Sequence, residues 1–336
     1  MLKSGPDAAQ VVAAVDRWLT APGEPDPWVV ETSGSTGRPK RVVLSRRAML
    51  ASAAASAARL GAAGPWLLAL PASYVAGLNV IVRSLVAGHP PVLLADSFAD
   101  AARAVGPGGF VSLVPTQLHR LLETDAAALA GFHTVLLGGG PVDPALRARA
   151  QAAGVRVVAT YGSAETCGGC VYDGVPLDGV GLALAADGRV RLSGPVLFDG
   201  YAGEPELTRE VLVDGWFLTS DAGRIDEDGR LQVLGRIDDM VVTGGVNVPA
   251  PAVAARLRAH PGVAAAEVLG VPDEEWGNRI VAFLVPAAGP PTLDDLRDWV
   301  AAERPRSWAP RQLVTLPEIP MLPNGKPDRL ALRELA

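Results

Sequence analysis

The first rhythm in the chain is helical. Val11, Val12, Val15 and Trp18 recur at the spacing of one helix face, which predicts a short amphipathic helix over Asp7 to Leu19. The stretch APGEPDP breaks it. Trp28 to Glu31 and Arg41 to Leu44 then read as strands flanking a Gly/Ser/Thr loop. Ser45 stands where the alanine-rich helix after it needs an N-cap. Beyond that, short apolar runs alternate with helical stretches. Trp66–Leu70, Val92–Ala95, Phe110–Val114, Thr134–Leu137 and Val155–Ala159 are candidate strands. Leu78–Ala87, Ala99–Val105, Thr116–Glu123 and Pro144–Ala153 are candidate helices between them. Strands this uniformly apolar predict a largely parallel sheet covered on both faces, an α/β fold.

After Gly162 the pattern turns strand-rich, at Gly181–Ala185, Arg189–Ser193, Gly223–Ile225 and Leu231–Leu234. Asp187-Gly188 and Asp228-Gly229 are hairpin-turn dipeptides. A small α+β domain is expected to start near Arg236 to Asp239. Its strands are Met240–Thr243, Ala265–Val271, Arg279–Val285 and Gln312–Leu316, and its helices Ala250–Arg258 and Leu293–Glu303. The expected division is therefore residues 1–237 and 238–336.

Composition narrows the class. Of 336 residues 49% are hydrophobic, enough for sizeable cores and far from a disordered chain. The 37 glycines and 29 prolines argue against a coiled coil or a helical bundle. A net charge of −6, spread along the sequence, argues against nucleic acid as a partner. MLKSGPDAAQ lacks an apolar signal core, and the longer apolar runs are all interrupted. The expectation is a cytoplasmic protein without stable membrane insertion. Cys167 and Cys170 are the two cysteines, and His89, His119, His133 and His260 show no metal spacing, so both thiols are expected to be ordinary buried ones.

Lysine is more informative. The 30 basic residues include only Lys3, Lys40 and Lys326 as lysines. A compact ammonium differs chemically from a planar guanidinium fork, so a lysine kept in an arginine-rich chain draws attention. Lys40 closes Thr32-Ser33-Gly34-Ser35-Thr36-Gly37-Arg38-Pro39-Lys40. Its glycines let the backbone turn tightly and expose N–H donors, its hydroxyls add more, and Lys40 adds charge. Such a loop suits a polyphosphate. Its spacing is neither that of a Walker A loop nor G-x-G-x-x-G.

This loop resembles the phosphate loop of the acyl-adenylate-forming family, which includes acyl- and aryl-CoA synthetases, luciferases and peptide-synthetase adenylation domains. Four further motifs follow in family order: Tyr161-Gly162-Ser163-Ala164-Glu165-Thr166, the run from Gly215 to Asp221, Gly235-Arg236-Ile237-Asp238-Asp239, and Pro323-Asn324-Gly325-Lys326-Pro327-Asp328-Arg329. The resemblance implies a synthetase fold with a truncated N-terminal region, since the loop begins at Thr32. It also implies a mobile C-terminal domain hinged at Asp238, with its lysine loop at 320–329. ATP, Mg²⁺ and coenzyme A are the implied cofactors. Lys326, Glu165 and Arg236 take catalytic roles, and Glu165 holds the metal. Thr32, Ser33, Gly34, Ser35, Thr36, Gly37 and Lys40 hold phosphate. Gly139, Gly140, Tyr161, Gly162, Thr166, Asp221 and Arg236 surround the nucleotide, and Gly244 and Gly245 line the thiol path.

Within the family the resemblance narrows to short-form o-succinylbenzoate-CoA ligases of menaquinone biosynthesis. It is carried by Leu70 to Gly77, Val82 to Gly88, Leu113 to Leu118 and YGSAETCGGCVYDG. A small carboxylic acid is then the substrate, with Tyr74, Arg83 and Gly138 in its pocket and Arg83 facing a ring carboxylate. A homodimer is compatible with the resemblance. The alternatives are a synthetase for another aryl or acyl acid, or an adenylation enzyme loading a carrier protein. Two positions depart from the family pattern: Ala164, where Thr or Ser is usual, and Tyr74, where these ligases usually have histidine.

Overall fold

The computed structural model describes residues 8–32, 40–237, 240–287, 289–321 and 327–336. They fall in two compact units. The first takes in Met1–Ala183, Arg191–Thr219 and Asp226–Leu231, the second Leu184–Val190, Ser220–Ile225 and Gln232–Ala336.

In the first unit a seven-stranded sheet runs in the order Val92–Leu93, Trp66–Leu68, Phe110–Leu113, Thr134–Leu137, Val157–Ser163, Gly168–Tyr172, Val175–Pro176. The first five strands are parallel, as the apolar runs predict, and the last two return antiparallel. Trp66 pairs with Phe110 and Phe110 with Thr134 where these strands begin; Leu113, Leu137 and Ala159 pair where they end. Alternation sets the core. Leu67, Val111, Leu113, Val135 and Leu137 share a buried cluster with Phe98, Leu118, Leu121 and Leu146 from helices Phe98–Val105, Pro115–Thr124 and Pro144–Ala152. Trp66, Leu68, Phe110 and Leu136, one residue out of phase, are buried as well. That double burial is why the strands read as unbroken apolar runs.

Ser45 caps helix Arg46–Leu60 by accepting the Ala48 N–H, as expected. The strand expected over Val155–Ala159 instead starts at Val157 and continues to Ser163. Tyr161 pairs there with Val171, and that tertiary pairing extends the strand through a segment whose sequence reads as a loop. Gly188 and Gly229 take the left-handed conformation, φ 81° and 76°, in the two Asp-Gly turns.

In the second unit Val263–Asp273 and Gly277–Pro286 form a long hairpin, and Gln312–Thr315 joins it parallel. Ile280, Ala282 and Leu284 face a core with Val253, Leu257, Leu296 and Val300. Val281 and Phe283 face the opposite cluster, closed by Leu332 of helix Arg329–Glu334. Strand Val246–Pro249 and the short helices Pro205–Val211 and Arg329–Glu334 were not legible in the sequence. No helix among the described residues is long and apolar enough to cross a membrane.

Candidate active site

The ends of the parallel strands build one side of the site. Chain leaving Thr134–Leu137 passes through Gly138-Gly139-Gly140. The Gly138 N–H donates to the Leu113 carbonyl at 3.1 Å, and a Cβ on Gly138 would lie 2.5 Å from Thr160 Oγ1. Gly139 has φ 76° with Val114 beside it, so neither position accepts a side chain without strain. On the neighbouring strand a Cβ at Gly162 would lie 2.1 Å from the Gly168 carbonyl oxygen. Tyr161 is half-buried before it. At Gly138 and Gly162 the missing side chain lets neighbouring chain pack closely.

Glu165 sits in the 3₁₀ turn Ala164–Thr166 that follows this strand. The turn is fixed by Thr166. Its hydroxyl donates to the Gly168 carbonyl at 2.7 Å and accepts the Ser163 N–H at 2.9 Å, and Thr166 is fully buried. The Thr166 hydroxyl thus bonds to the main chain of its own turn. Ser163 Oγ is buried without a hydrogen-bond partner among the described residues.

The Glu165 carboxylate is held from a third segment. Its Oε1 accepts a 2.8 Å hydrogen bond from Tyr201, and its main-chain carbonyl accepts the Phe198 N–H at 2.9 Å. Tyr201 arrives there because strand Gly200–Tyr201 pairs with Val43 and Val42 of strand Arg41–Leu44. Burial, then the Glu165 charge, push the Tyr201 hydroxyl well above its ordinary range, so it stays protonated and donates. Lys40 stands over the same ring, Nζ 5.1 Å from its centroid. Thr32 and Lys40 are joined across the segment between them: the Thr32 N–H donates to the Lys40 carbonyl at 2.9 Å, and the Lys40 N–H to Thr32 Oγ1 at 3.2 Å. Ser33, Gly34, Ser35, Thr36 and Gly37 lie outside the described residues, as do Asp238 and Lys326.

One fixed carboxylate, one unpartnered hydroxyl and one lysine suit a magnesium–polyphosphate pair. No group of three or more His, Cys, Asp or Glu able to hold a metal occurs among the described residues. Mg²⁺ commonly takes one or two carboxylates and completes its shell with water and substrate phosphates, so a single carboxylate such as Glu165 could serve it.

Tyr74 and Arg83 end up apart. Tyr74 precedes helix Val75–Val86, 48% exposed, with its N–H on the Pro71 carbonyl just beyond the end of the Trp66 strand. The helix then runs back along the strand, so Ser84 Oγ meets the Trp66 N–H at 3.2 Å. Arg83 is buried there, its guanidinium 5.3 Å from the Trp66 ring centroid. Trp66 begins its strand whereas Gly138 follows the end of another. Arg83 therefore lies near the start of the Trp66 strand, about two and a half helical turns along from Tyr74.

Cys167 and Cys170 are fully buried, and burial pushes the Cys170 thiol up to about 12. The Cys167 carbonyl accepts from Asn79 Nδ2 at 2.6 Å and from Ser52 Oγ at 3.2 Å. They are packing residues, as the sequence suggested.

In the second unit Asp221 lies half-buried in strand Trp216–Ile225, and Arg236 ends strand Leu231–Arg236, also half-buried. Gly244 and Gly245 form the turn between Met240–Thr243 and Val246–Pro249, with φ 54° and 77°. The Gly244 N–H donates to the Trp276 carbonyl at 2.9 Å, and a Cβ on Gly244 would lie 2.8 Å from the Trp276 ring.

Tyr201 is the site residue that sequence reading missed. No local pattern marks it; only the pairing of its two-residue strand with Arg41–Leu44 brings it to Glu165.

Residues 27–198 match the AMP-binding enzyme family, and residues 252–326 match the AMP-binding enzyme C-terminal domain. A probable 2-succinylbenzoate–CoA ligase of Mycobacterium tuberculosis is 44% identical over 318 residues, covering 90% of this chain and 83% of that protein. A 2-succinylbenzoate–CoA ligase of Listeria monocytogenes is 32% identical over 327 residues, covering 91% and 69%. Among solved structures, the o-succinylbenzoate CoA synthetase of Bacillus subtilis in complex with its acyl-adenylate intermediate is similar, with a TM-score of 0.78 at 29% identity. That match covers 91% of this chain and 68% of the other.

Proposed function

This chain belongs to the AMP-binding enzyme family, and from that premise we propose that it is an o-succinylbenzoate–CoA ligase of the AMP-forming type. The succinyl carboxylate attacks the α-phosphorus of ATP, the bond to pyrophosphate breaks, and an acyl-adenylate forms. The thiol of coenzyme A then attacks the adenylate carbonyl, giving the thioester and AMP. The observation that carries the reading is the likeness, over 91% of the chain, to a synthetase structure that holds the acyl-adenylate. The Glu165 carboxylate and the Lys40 ammonium, both set on Tyr201, support it chemically.

Residue roles belong to the same proposal. Residues 32–37 and Lys40 bind the phosphates, Glu165 holds Mg²⁺, and Tyr161 with Gly138 to Gly140 and Gly162 borders adenine and acid. When bound, Mg²⁺ supplies positive charge to phosphate oxygens. Asp221 accepts hydrogen bonds from the ribose hydroxyls and Arg236 contacts ribose or phosphate. Lys326 stabilises the charge that develops as pyrophosphate leaves. Asp238 is the hinge about which Lys326 gives way to Gly244 and Gly245 for the thiol step. Work in the cytoplasm and a homodimeric assembly complete the proposal; light scattering at twice the chain mass checks the latter.

A panel of acids with ATP, Mg²⁺ and coenzyme A tests the function. Thioester, AMP and pyrophosphate are expected with o-succinylbenzoate. ADP with phosphate would overturn the adenylate route, and turnover confined to another acid would overturn the substrate.

Arg83 gives a separate check. Buried, with its Nε without a hydrogen-bond partner among the described residues, it is proposed to border the acid with Tyr74 and Gly138. Arg83→Ala is expected to weaken use of o-succinylbenzoate roughly 10- to 150-fold more than use of an analogue lacking the ring carboxylate. Equal losses on both compounds would remove Arg83 from the pocket.

A further inference from the structure

We propose that Tyr201 is a positioning residue of the nucleotide site, orienting Glu165 through its hydroxyl and holding the Lys40 ammonium against its ring. The inference rests on the reading of Glu165 and residues 32–40 as the Mg²⁺–ATP side of the ligase. Three pieces of chain meet at this one side chain. Strand Gly200–Tyr201 is paired to Arg41–Leu44, which leaves the phosphate loop, and Phe198 N–H holds the Glu165 main chain at 2.9 Å. Tyr201 is 5% exposed, with Phe198 set edge-on at 5.0 Å, so a phenylalanine would fill the same space. The hydroxyl is therefore not needed for packing. It lies 2.8 Å from Glu165 Oε1.

Each contact has a distinct consequence. A carboxylate with one oxygen held by a hydrogen-bond donor presents the other oxygen in a fixed direction, as outer hydrogen-bond partners do for metal ligands. An aromatic face attracts an ammonium, and the Tyr201 ring centroid lies 5.1 Å from Lys40 Nζ. Tyr201 thus couples Lys40 to the carboxylate.

The test uses the whole chain without acid or coenzyme A, so that no turnover occurs. ATP-induced thermal stabilisation is titrated with Mg²⁺. Tyr201→Phe is expected to raise the Mg²⁺ concentration for half-maximal stabilisation roughly 10-fold, the low end for losing an outer-sphere partner. Tyr201→Leu should also weaken ATP binding at saturating Mg²⁺. In a Glu165→Gln background, Tyr201→Phe should change the Mg²⁺ curve little, because the two act as a unit. A folded Tyr201→Phe with the wild-type Mg²⁺ curve, or full additivity with Glu165→Gln, overturns the inference. A wild-type protein showing no Mg²⁺-dependent stabilisation by ATP overturns the nucleotide-site reading beneath it.

Discussion

Lys326→Ala is expected to form adenylate about 10²–10³ more slowly than wild type, while making thioester from supplied o-succinylbenzoyl-adenylate at nearly the normal rate. The expectation starts from composition: among 30 basic residues, the chain keeps lysine at three positions, and this is one of them. A mobile point charge suits a phosphate whose charge shifts during the step. The segments flanking it are anchored. Met321 bridges to Pro327, and Asp328 caps helix Arg329–Glu334 by accepting the Leu330 and Ala331 N–H groups. Replacing Lys326 therefore removes charge while leaving these anchors in place. Pyrophosphate release in a single turnover reads the first half, and thioester from synthetic adenylate reads the second. Collapse of both halves in a folded variant would sink the proposed hinge at Asp238.

Gly244→Val should give the opposite split. Gly244 has φ 54°, which a β-branched residue tolerates poorly, and the added carbon would sit 2.8 Å from the Trp276 ring. That ring cannot yield easily, since the Arg311 guanidinium stacks 3.4 Å from its centroid. The Gly244-Gly245 turn must shift, and a displacement near 1 Å in a positioning element can cost about 10²-fold. Thioester formation from supplied adenylate is expected to drop by that order, with pyrophosphate release from ATP within a few-fold of wild type. Equal losses in both halves would remove the turn from the thiol path.

How far the sequence reaches is clear from individual residues. The parallel strands were legible because double burial writes apolar runs, and Ser45 was legible because capping is local. Strand Val157–Ser163 was read too short because its last residues extend only through pairing with Gly168–Tyr172. Among the site residues, Glu165 and Lys40 carried rare chemistry in a recognisable order. The Thr166 hydroxyl on main-chain groups and the Arg83 guanidinium over the Trp66 ring are contacts that no local pattern announces. Tyr201 had no sequence signal, because its function depends on a two-residue strand.

The parallel sheet also has a kinetic side. Its neighbours cannot find each other through tight turns: Trp66 meets Phe110, and Phe110 meets Thr134, only after the intervening helices are spanned. Each pairing closes a long loop before any contact compensates the lost chain entropy. In the second unit Asp273 pairs with Gly277, so that hairpin can zip from a short turn. The sheet of the first unit is therefore expected to form more slowly than that hairpin, which stopped-flow refolding would read as a slower phase.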